Sequence, residues 1–125
     1  MSDPTTHDGG CHCGRVRFRV ILREARAIRC NCSICEKKGI LHAIVPPSDF
    51  ALLSGADALS TYTFGTHEAK HTFCATCGAH PFYSPRSHPG HVDVNLRCLD
   101  DDAWRTFEVT PFDGRNWERD SARIR

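Results

Sequence analysis

The sequence Cys74-Ala75-Thr76-Cys77-Gly78 decides the fold, because two cysteines that bracket a tight turn are typical of a zinc knuckle. Gly78 favours this geometry, since glycine lets the backbone turn beneath a metal ion. A second close pair, Cys11-His12-Cys13, lies near the start of the chain. Such pairs predict one closed four-thiolate zinc site formed by Cys11, Cys13, Cys74 and Cys77. This site would be structural, because a tetrahedron filled by protein thiolates has no position for a substrate.

The six residues Cys30-Asn31-Cys32-Ser33-Ile34-Cys35 supply three further thiols. If Cys30, Cys32 and Cys35 are the only protein ligands, a second zinc keeps an open position, which is the arrangement of catalytic zinc. The spacing equally allows a second structural zinc, completed by Cys98 or by a histidine. Catalytic zinc sites usually include nitrogen or oxygen ligands, so the spacing alone leaves both alternatives open.

Metal binding explains the eight cysteines better than disulfides do. The first residues contain neither the basic region nor the apolar stretch of an export signal, which predicts a soluble, cytoplasmic protein with reduced thiols. No apolar run approaches the roughly 18 residues that a membrane span requires. A disulfide also needs two Cα atoms about 4.4 to 6.8 Å apart with a specific torsion, and a Cys-x-Cys pair closes an awkwardly small ring.

The rest of the sequence predicts an all-β protein of small antiparallel sheets with at most short helices. The length of 125 residues fits a single domain, which we place at 9–125 after a flexible tail of residues 1–8. Short helices are predicted at 32–38 and from Asn116 onward, where Asn116 could cap the first turn. Alternation and strand-like composition predict strands at 16–22, 40–45, 60–64, 70–73, 81–84, 91–96 and 105–109.

The charge balance argues against a nucleic-acid partner. The chain has 16 Lys and Arg against 15 Asp and Glu, a formal net charge of +1. Binding to nucleic acid requires a basic surplus or a long basic arm, and the sequence has neither. Zinc bound by thiolates would make the net charge of the protein negative.

The chain contains three long motifs: Gly9-Gly10-Cys11-His12-Cys13-Gly14-Arg15-Val16-Arg17-Phe18, Cys30-Asn31-Cys32-Ser33-Ile34-Cys35, and Phe73-Cys74-Ala75-Thr76-Cys77-Gly78. Together they resemble the glutathione-dependent formaldehyde-activating enzyme family, over nearly the whole chain. Within that family the sequence is most similar to the centromere protein V branch, through the stretches 30–38, 61–67, 71–74, 82–87 and 98–100.

The resemblance implies a β-tent fold, in which zinc holds small antiparallel sheets together. It implies two Zn²⁺ ions per chain: a structural one on Cys11, Cys13, Cys74 and Cys77, and a catalytic one on Cys30, Cys32 and Cys35. The implied reaction is of the carbon-sulfur lyase class, in which glutathione adds to formaldehyde and gives S-hydroxymethylglutathione. We therefore expect an enzyme acting on a small-molecule thiol, glutathione or another, and a small aldehyde. The alternative is a non-enzymatic, zinc-stabilised module that binds a protein or chromatin partner.

Few other residues suggest a role in such chemistry. Arg86 is a candidate for substrate binding, because a guanidinium pairs a carboxylate bidentately. A proton carrier would come from the histidines His42, His67, His71, His80 and His91, but the sequence fixes no distance between any of them and the metal. Three aromatic residues could line a pocket, although aromatic residues in strands more often belong to the core: Phe73, Phe82 and Tyr83. Cys98 is most simply a free thiol.

Overall fold

Short β-strands form most of the structure. The computed structural model describes residues 3–65 and 67–112, and over these residues it contains ten strands, one α-helix and four 3₁₀ turns. The strands are β1 (Thr5–Gly10), β2 (Arg17–Leu22), β3 (Arg26–Cys30), β4 (His42–Val45), β5 (Phe50–Ser54), β6 (Leu59–Tyr62), β7 (His71–Cys74), β8 (Phe82–Tyr83), β9 (Val92–Asn95) and β10 (Glu108–Phe112). The helix α1 is Ser33–Lys38, and the 3₁₀ turns are Pro47–Asp49, Ala56–Ala58, Leu96–Cys98 and Ala103–Thr106. Within this described part of the chain, no helix is long and apolar enough to span a membrane.

The strands form three small sheets, which confirms the predicted all-β class. Their strand orders are β1-β2-β5, β10-β3-β4-β9-β8 and β6-β7. Among the described strands every pair is antiparallel except β10 with β3, so the prediction of purely antiparallel sheets is wrong at that edge. A parallel pair requires a long crossover connection. Here the chain builds β4 to β9 before it returns beside β3.

One face of the five-stranded sheet packs into the main core. Side chains alternate between the two faces of a strand, and Ala27, Val45 and Val94 point to the core side. Phe18 and Val20 of β2 cover this face and are completely buried. Burying each large apolar side chain contributes about 1.5–3 kcal/mol. The buried core consists of Phe18, Val20, Leu22, Ala27, Leu41, Val45, Val94, Leu96 and Leu99.

The opposite face of the same sheet carries polar as well as apolar side chains. The register pairs Ile28 with His42 across β3 and β4, and Ile44 with Asp93 across β4 and β9. Tyr83 of β8 pairs with Asp93 on its other side. Paired residues share a face, so these five side chains lie together on the side that faces away from the main core.

The first strand corrects the predicted flexible tail of residues 1–8. Thr5–Gly10 forms β1, which pairs with β2 along its whole length, from Thr5 opposite Leu22 to Gly10 opposite Arg17. His7 is buried on this strand, and its Nδ1 lies 2.7 Å from a carboxylate oxygen of Asp101. Residues 5–8 are therefore part of the folded domain.

Most of the other predicted elements are present, with shifted ends. The helix predicted at 32–38 is α1, and the predicted strands at 16–22, 40–45, 60–64, 70–73, 81–84 and 91–96 correspond to β2, β4, β6, β7, β8 and β9. The segment 105–109 begins in a 3₁₀ turn, so its strand starts only at Glu108. The prediction missed β1, β3 and β5. The helix predicted from Asn116 lies outside the described residues.

Candidate metal centres and the adjoining cavity

The structure brings Cys11, Cys13, Cys74 and Cys77 together. Their four sulfur atoms all lie within 4.8 Å of one another. The Sγ atom of Cys13 lies 3.6 Å from that of Cys11 and 3.7 Å from that of Cys74. A tetrahedron of thiolates with Zn–S bonds of about 2.3 Å has S–S edges of about 3.8 Å, whereas a disulfide bond measures about 2.05 Å. The four thiols therefore fit a tetrahedral thiophilic metal ion.

Two tight turns position these four thiols. Cys11 directly follows β1, and the backbone N–H of Val16 donates to its sulfur at 3.3 Å. Cys74 ends β7, and the N–H of Gly78 donates to the Cys74 carbonyl at 2.8 Å. Gly78 has a φ of +81°, a left-handed conformation that glycine adopts without strain. The cluster thus connects the β1-β2-β5 sheet with the β6-β7 sheet.

The second cluster consists of Cys30, Cys32 and Cys35, whose sulfur atoms also lie within 4.8 Å of one another. Cys30 ends β3, Cys32 is the N-cap of α1, and Cys35 lies within the helix. The sulfur of Cys32 accepts a hydrogen bond from the Cys35 N–H at 3.3 Å, and that of Cys30 accepts one from the Cys32 N–H at 3.4 Å. Hydrogen bonds from the Cys30 and Cys35 thiols lower the pKa of Cys32 to about 2.

Cys98 does not complete this second cluster. Among the described residues, no fourth ligand atom of a Cys, His, Asp or Glu lies within the same mutual distance of the three sulfurs. The Cys98 thiol instead points to the His80 carbonyl oxygen at 3.7 Å. Burial raises the pKa of Cys98 to about 11, with further contributions from the charges of Cys11 and Cys77. The structure thus places Cys98 outside both groups of cysteines that could hold a metal ion.

The three thiols of the second cluster border a cavity of about 480 Å³ on the polar face of the five-stranded sheet. The sheet contributes Ile28, His42, Ile44, Asp93 and Tyr83, and α1 contributes Ser33 and Ile34. Phe64, His71 and Arg86 line the remaining sides with their neighbours. The sequence candidate Arg86 is therefore at the same cavity as Cys30, Cys32 and Cys35.

A buried, hydrogen-bonded pair of side chains forms part of the cavity lining. His42 Nδ1 lies 2.8 Å from Asp93 Oδ2, and the two side chains are only 3% and 2% exposed. The Tyr83 hydroxyl lies 3.5 Å from the same His42 nitrogen. Burial alone would lower the pKa of His42, but the charge of Asp93 and its hydrogen bond outweigh that effect and raise the pKa above its ordinary value.

His71 also lines the cavity, but its surroundings lower its pKa, whereas those of His42 raise it. Its ring stacks on Tyr83 at 4.8 Å and on Phe64 at 5.5 Å between ring centroids. Burial and the positive charge of Lys38 lower the pKa of His71 to about 4, so its imidazole is neutral near pH 7. Burial, together with the negative charge of Asp93, raises the pKa of Tyr83 well above its ordinary value.

The other sequence candidates lie elsewhere. The ring of His67 hydrogen-bonds to Thr63 Oγ1 at the surface, and His91 packs against His88. His80 Nδ1 accepts a hydrogen bond of 2.9 Å from Lys38. Phe82 packs on the core residues Phe18 and Phe50, and Phe73 contacts His80. Of the three aromatic candidates only Tyr83 lines the cavity.

Sequence reasoning did not identify Asp93. The signal was a charged residue flanked by two valines, in Val92-Asp93-Val94, at the centre of a predicted strand. A carboxylate in such a position is either outward-facing or held by a specific partner. Only the strand register shows that Asp93 lies beside His42 rather than in solvent.

Two comparisons with known proteins give the same family name, and a third identifies a solved structure with a similar fold. Residues 6–112 match the family model described as "Glutathione-dependent formaldehyde-activating enzyme". A Halomonas elongata protein, named "Putative glutathione-dependent formaldehyde-activating enzyme", is 33% identical over 110 residues, which cover 81% of this chain and 70% of that protein. The crystal structure of a Rhodobacter sphaeroides protein matches with a TM-score of 0.74 and 39% identity, over 82% of this chain and 99% of that chain.

Proposed function

We propose that this chain, which belongs to the glutathione-dependent formaldehyde-activating enzyme family, is a zinc-dependent enzyme of the carbon-sulfur lyase class. It would join a thiol such as glutathione to a small aldehyde such as formaldehyde. The observation that carries the proposal is the three-thiol cluster of Cys30, Cys32 and Cys35 at the edge of a cavity of about 480 Å³. Small-molecule sites have volumes of about 300–1,000 Å³. Membership of the centromere protein V branch stays a prediction.

The two thiol clusters would have different roles. Cys11, Cys13, Cys74 and Cys77 would enclose one Zn²⁺ with four sulfurs, which leaves no coordination position for a substrate. Cys30, Cys32 and Cys35 would hold a second Zn²⁺ with three sulfurs. When bound there, this ion would supply Lewis acidity that favours the thiolate form of a bound substrate thiol.

The residues around the cavity would bind and orient the reactants. Arg86 would pair a carboxylate of a glutathione-like thiol through its guanidinium group. Phe64 and Ile34 would exclude water from the reacting carbonyl group, since both line the cavity. The aldehyde would then lie between the three-thiol cluster and the His42–Asp93 pair.

Glutathione and formaldehyde also combine without a catalyst, so the experiment must compare rates. Two-dimensional NMR measures the rate of exchange between free glutathione and its formaldehyde adduct with and without the protein. We expect the purified, zinc-loaded protein to accelerate the exchange. Cys32→Ser should lose about 100-fold or more of that acceleration, because losing even a group that only supports a metal ligand costs about 10–100-fold. Cys98→Ser is the matched control, because Cys98 lies outside both clusters. Acceleration that is absent in the wild-type protein, across glutathione and several other thiols, would favour the non-enzymatic module.

A further inference from the structure

We propose that the imidazole of His42, held by Asp93, is the proton carrier of this site: its Nε2 takes the proton of the substrate thiol and returns it to the oxygen of the adduct. The inference rests on the proposed function and deepens it, because it assigns the acid and base step to one side chain. The sequence left this assignment open among five histidines.

The contact with Asp93 fixes which nitrogen of His42 is left to accept a proton. An ionised carboxylate only accepts hydrogen bonds, so the 2.8 Å contact with Asp93 Oδ2 assigns the donor to His42 Nδ1–H. In the neutral ring, Nε2 then carries the lone pair that can accept a proton. The same contact stabilises the imidazolium formed when Nε2 takes that proton.

The Nε2 atom of His42 is not used by any hydrogen bond within the described part of the chain. It is buried, and no hydrogen-bond partner for it exists among residues 3–65 and 67–112. An unpaired buried polar atom costs about 1–3 kcal/mol, so its presence requires an explanation, and a catalytic role is one. His42 lines the cavity that Cys30, Cys32 and Cys35 border, so its ring lies at the site of the proposed reaction.

The second histidine at the cavity is unsuited to the same role. His71 is stacked between Phe64 and Tyr83, and no carboxylate contact to its ring supports a positive charge among the described residues. Its lowered pKa of about 4 makes it a poor proton acceptor near pH 7. His71 therefore serves as part of the aromatic wall.

The proton transfers balance without any further reactant. The S–H bond of the thiol breaks and its proton moves to His42 Nε2. The sulfur electron pair forms the C–S bond, and the π pair of the C=O bond moves to oxygen. That oxygen takes the proton back from Nε2–H. The sum is addition of a thiol across a carbonyl bond, with no net oxidation or reduction.

The surroundings of His42 decide the direction of the pH effect. Among the residues that the structure describes, the titratable groups around it are Asp93 of β9, Tyr83 of β8 and Cys32 before α1. His71 lies behind Tyr83, and the β3 neighbour Ile28 is apolar. Burial lowers the pKa of His42, but the charge and hydrogen bond of Asp93 outweigh burial and raise the pKa above its ordinary value. A base must be unprotonated, so kcat/KM rises as the pH increases through this raised pKa.

The first test compares four variants with the wild-type protein. We expect His42→Gln and Asp93→Asn each to lower kcat/KM about 10²–10³-fold, since acid–base groups contribute about 10²–10⁴-fold. In Asp93→Asn the new amide N–H could donate to His42 Nδ1, which would move the ring proton to Nε2 and remove the base. The rise of kcat/KM with pH that we assign to His42 should disappear in His42→Gln. Added imidazole should restore part of the rate of His42→Ala. His91→Gln, outside the cavity, is the control. Unchanged kcat/KM in a folded, metal-loaded His42→Gln protein would overturn the proposal.

The second test uses the wild-type protein and does not depend on turnover or on the folding of a variant. Nitrogen-15 NMR of the labelled His42 ring is recorded with saturating glutathione and with S-methylglutathione, which has no thiol proton. We expect glutathione alone to convert Nε2 towards its protonated form. A His42 spectrum that responds equally to both compounds, or to neither, refutes the role. Protonation by glutathione without any acceleration of the aldehyde reaction would support the His42 inference and contradict the proposed function.

Discussion

Cys98 is the cysteine that most sharply tests the division into two metal-binding clusters. Its thiol contacts the His80 carbonyl and is not part of either cluster. We expect Cys98→Ser to keep the full metal content, whereas Cys35→Ser loses one equivalent because it removes one of three sulfurs. Elemental analysis of the purified proteins by mass spectrometry measures both. Loss of an ion from Cys98→Ser would mean that this thiol completes the second cluster after all.

Two glycines near the four-thiol cluster should differ in their tolerance of a methyl group. At Gly10 an added Cβ atom would lie 2.1 Å from the backbone oxygen of Val16, so β1 and β2 would have to separate. At Gly78 nothing lies within 4 Å, and the only cost is the left-handed backbone, about 1–2 kcal/mol. We expect Gly78→Ala to lower the free energy of unfolding by that amount and Gly10→Ala to lower it more. Urea unfolding gives both values, and the reverse order would contradict the described turn.

At the level of the strands, alternating apolar residues made some elements predictable. Strand β2 alternates Arg17, Phe18, Arg19 and Val20, and its buried residues are those that the alternation indicates. Strand β1 has the sequence Thr-Thr-His-Asp-Gly-Gly, which has little preference for extended structure on its own. It is a strand because β2 offers it a hydrogen-bonding edge. Such pairing is a tertiary effect that composition does not reveal.

The candidate site was predictable to a similar degree. Close spacing identified the seven cysteines that the structure gathers into two groups, because a metal site with local ligands leaves a local pattern. The contact between His42 and Asp93 joins residues 51 positions apart and depends on the register of β4 with β9. A one-residue change of that register would separate them, and the sequence alone does not specify it.

Strand β5 has an apolar sequence but little buried surface. It is an outer strand of its sheet, and Leu52 and Leu53 are 38% and 48% exposed. An exposed apolar edge promotes association between chains, and a lysine there opposes it. We expect Leu53→Lys to change the free energy of unfolding by less than about 0.5 kcal/mol and to reduce aggregation, measured by light scattering. Leu96→Ala in the core is the contrast, with an expected loss of about 2–5 kcal/mol.

At the level of the whole molecule, the two clusters should contribute unequally to stability. The four-thiol cluster joins the segments at residues 11–13 and 74–77, whereas the three-thiol cluster lies within residues 30–35. Closing a long loop removes more conformational entropy from the unfolded chain than closing a short one. Bound structural zinc contributes on the order of 10 kcal/mol to folding. We therefore expect Cys74→Ser to unfold the protein and Cys32→Ser to leave it folded.

Circular dichroism melting curves of the two variants compare them directly. A second substitution in each cluster, Cys77→Ser and Cys35→Ser, provides a matched repeat. The expected result is loss of the cooperative transition in the first cluster only. An equal fall in melting temperature for both clusters would contradict the assignment of one structural and one catalytic ion.

The two faces of the five-stranded sheet have a consequence for the evolution of the protein. In β4, Ala43 packs against the core while the neighbouring His42 and Ile44 line the cavity. Substitutions at cavity-facing positions such as Ile44 therefore leave the packing of the core face unchanged, so selection could alter the substrate preference with little effect on the core. Insertions and deletions have no such freedom, because one residue added within β4 exchanges the two faces beyond it. Length changes among functional relatives should consequently be confined to the turns and loops between these strands.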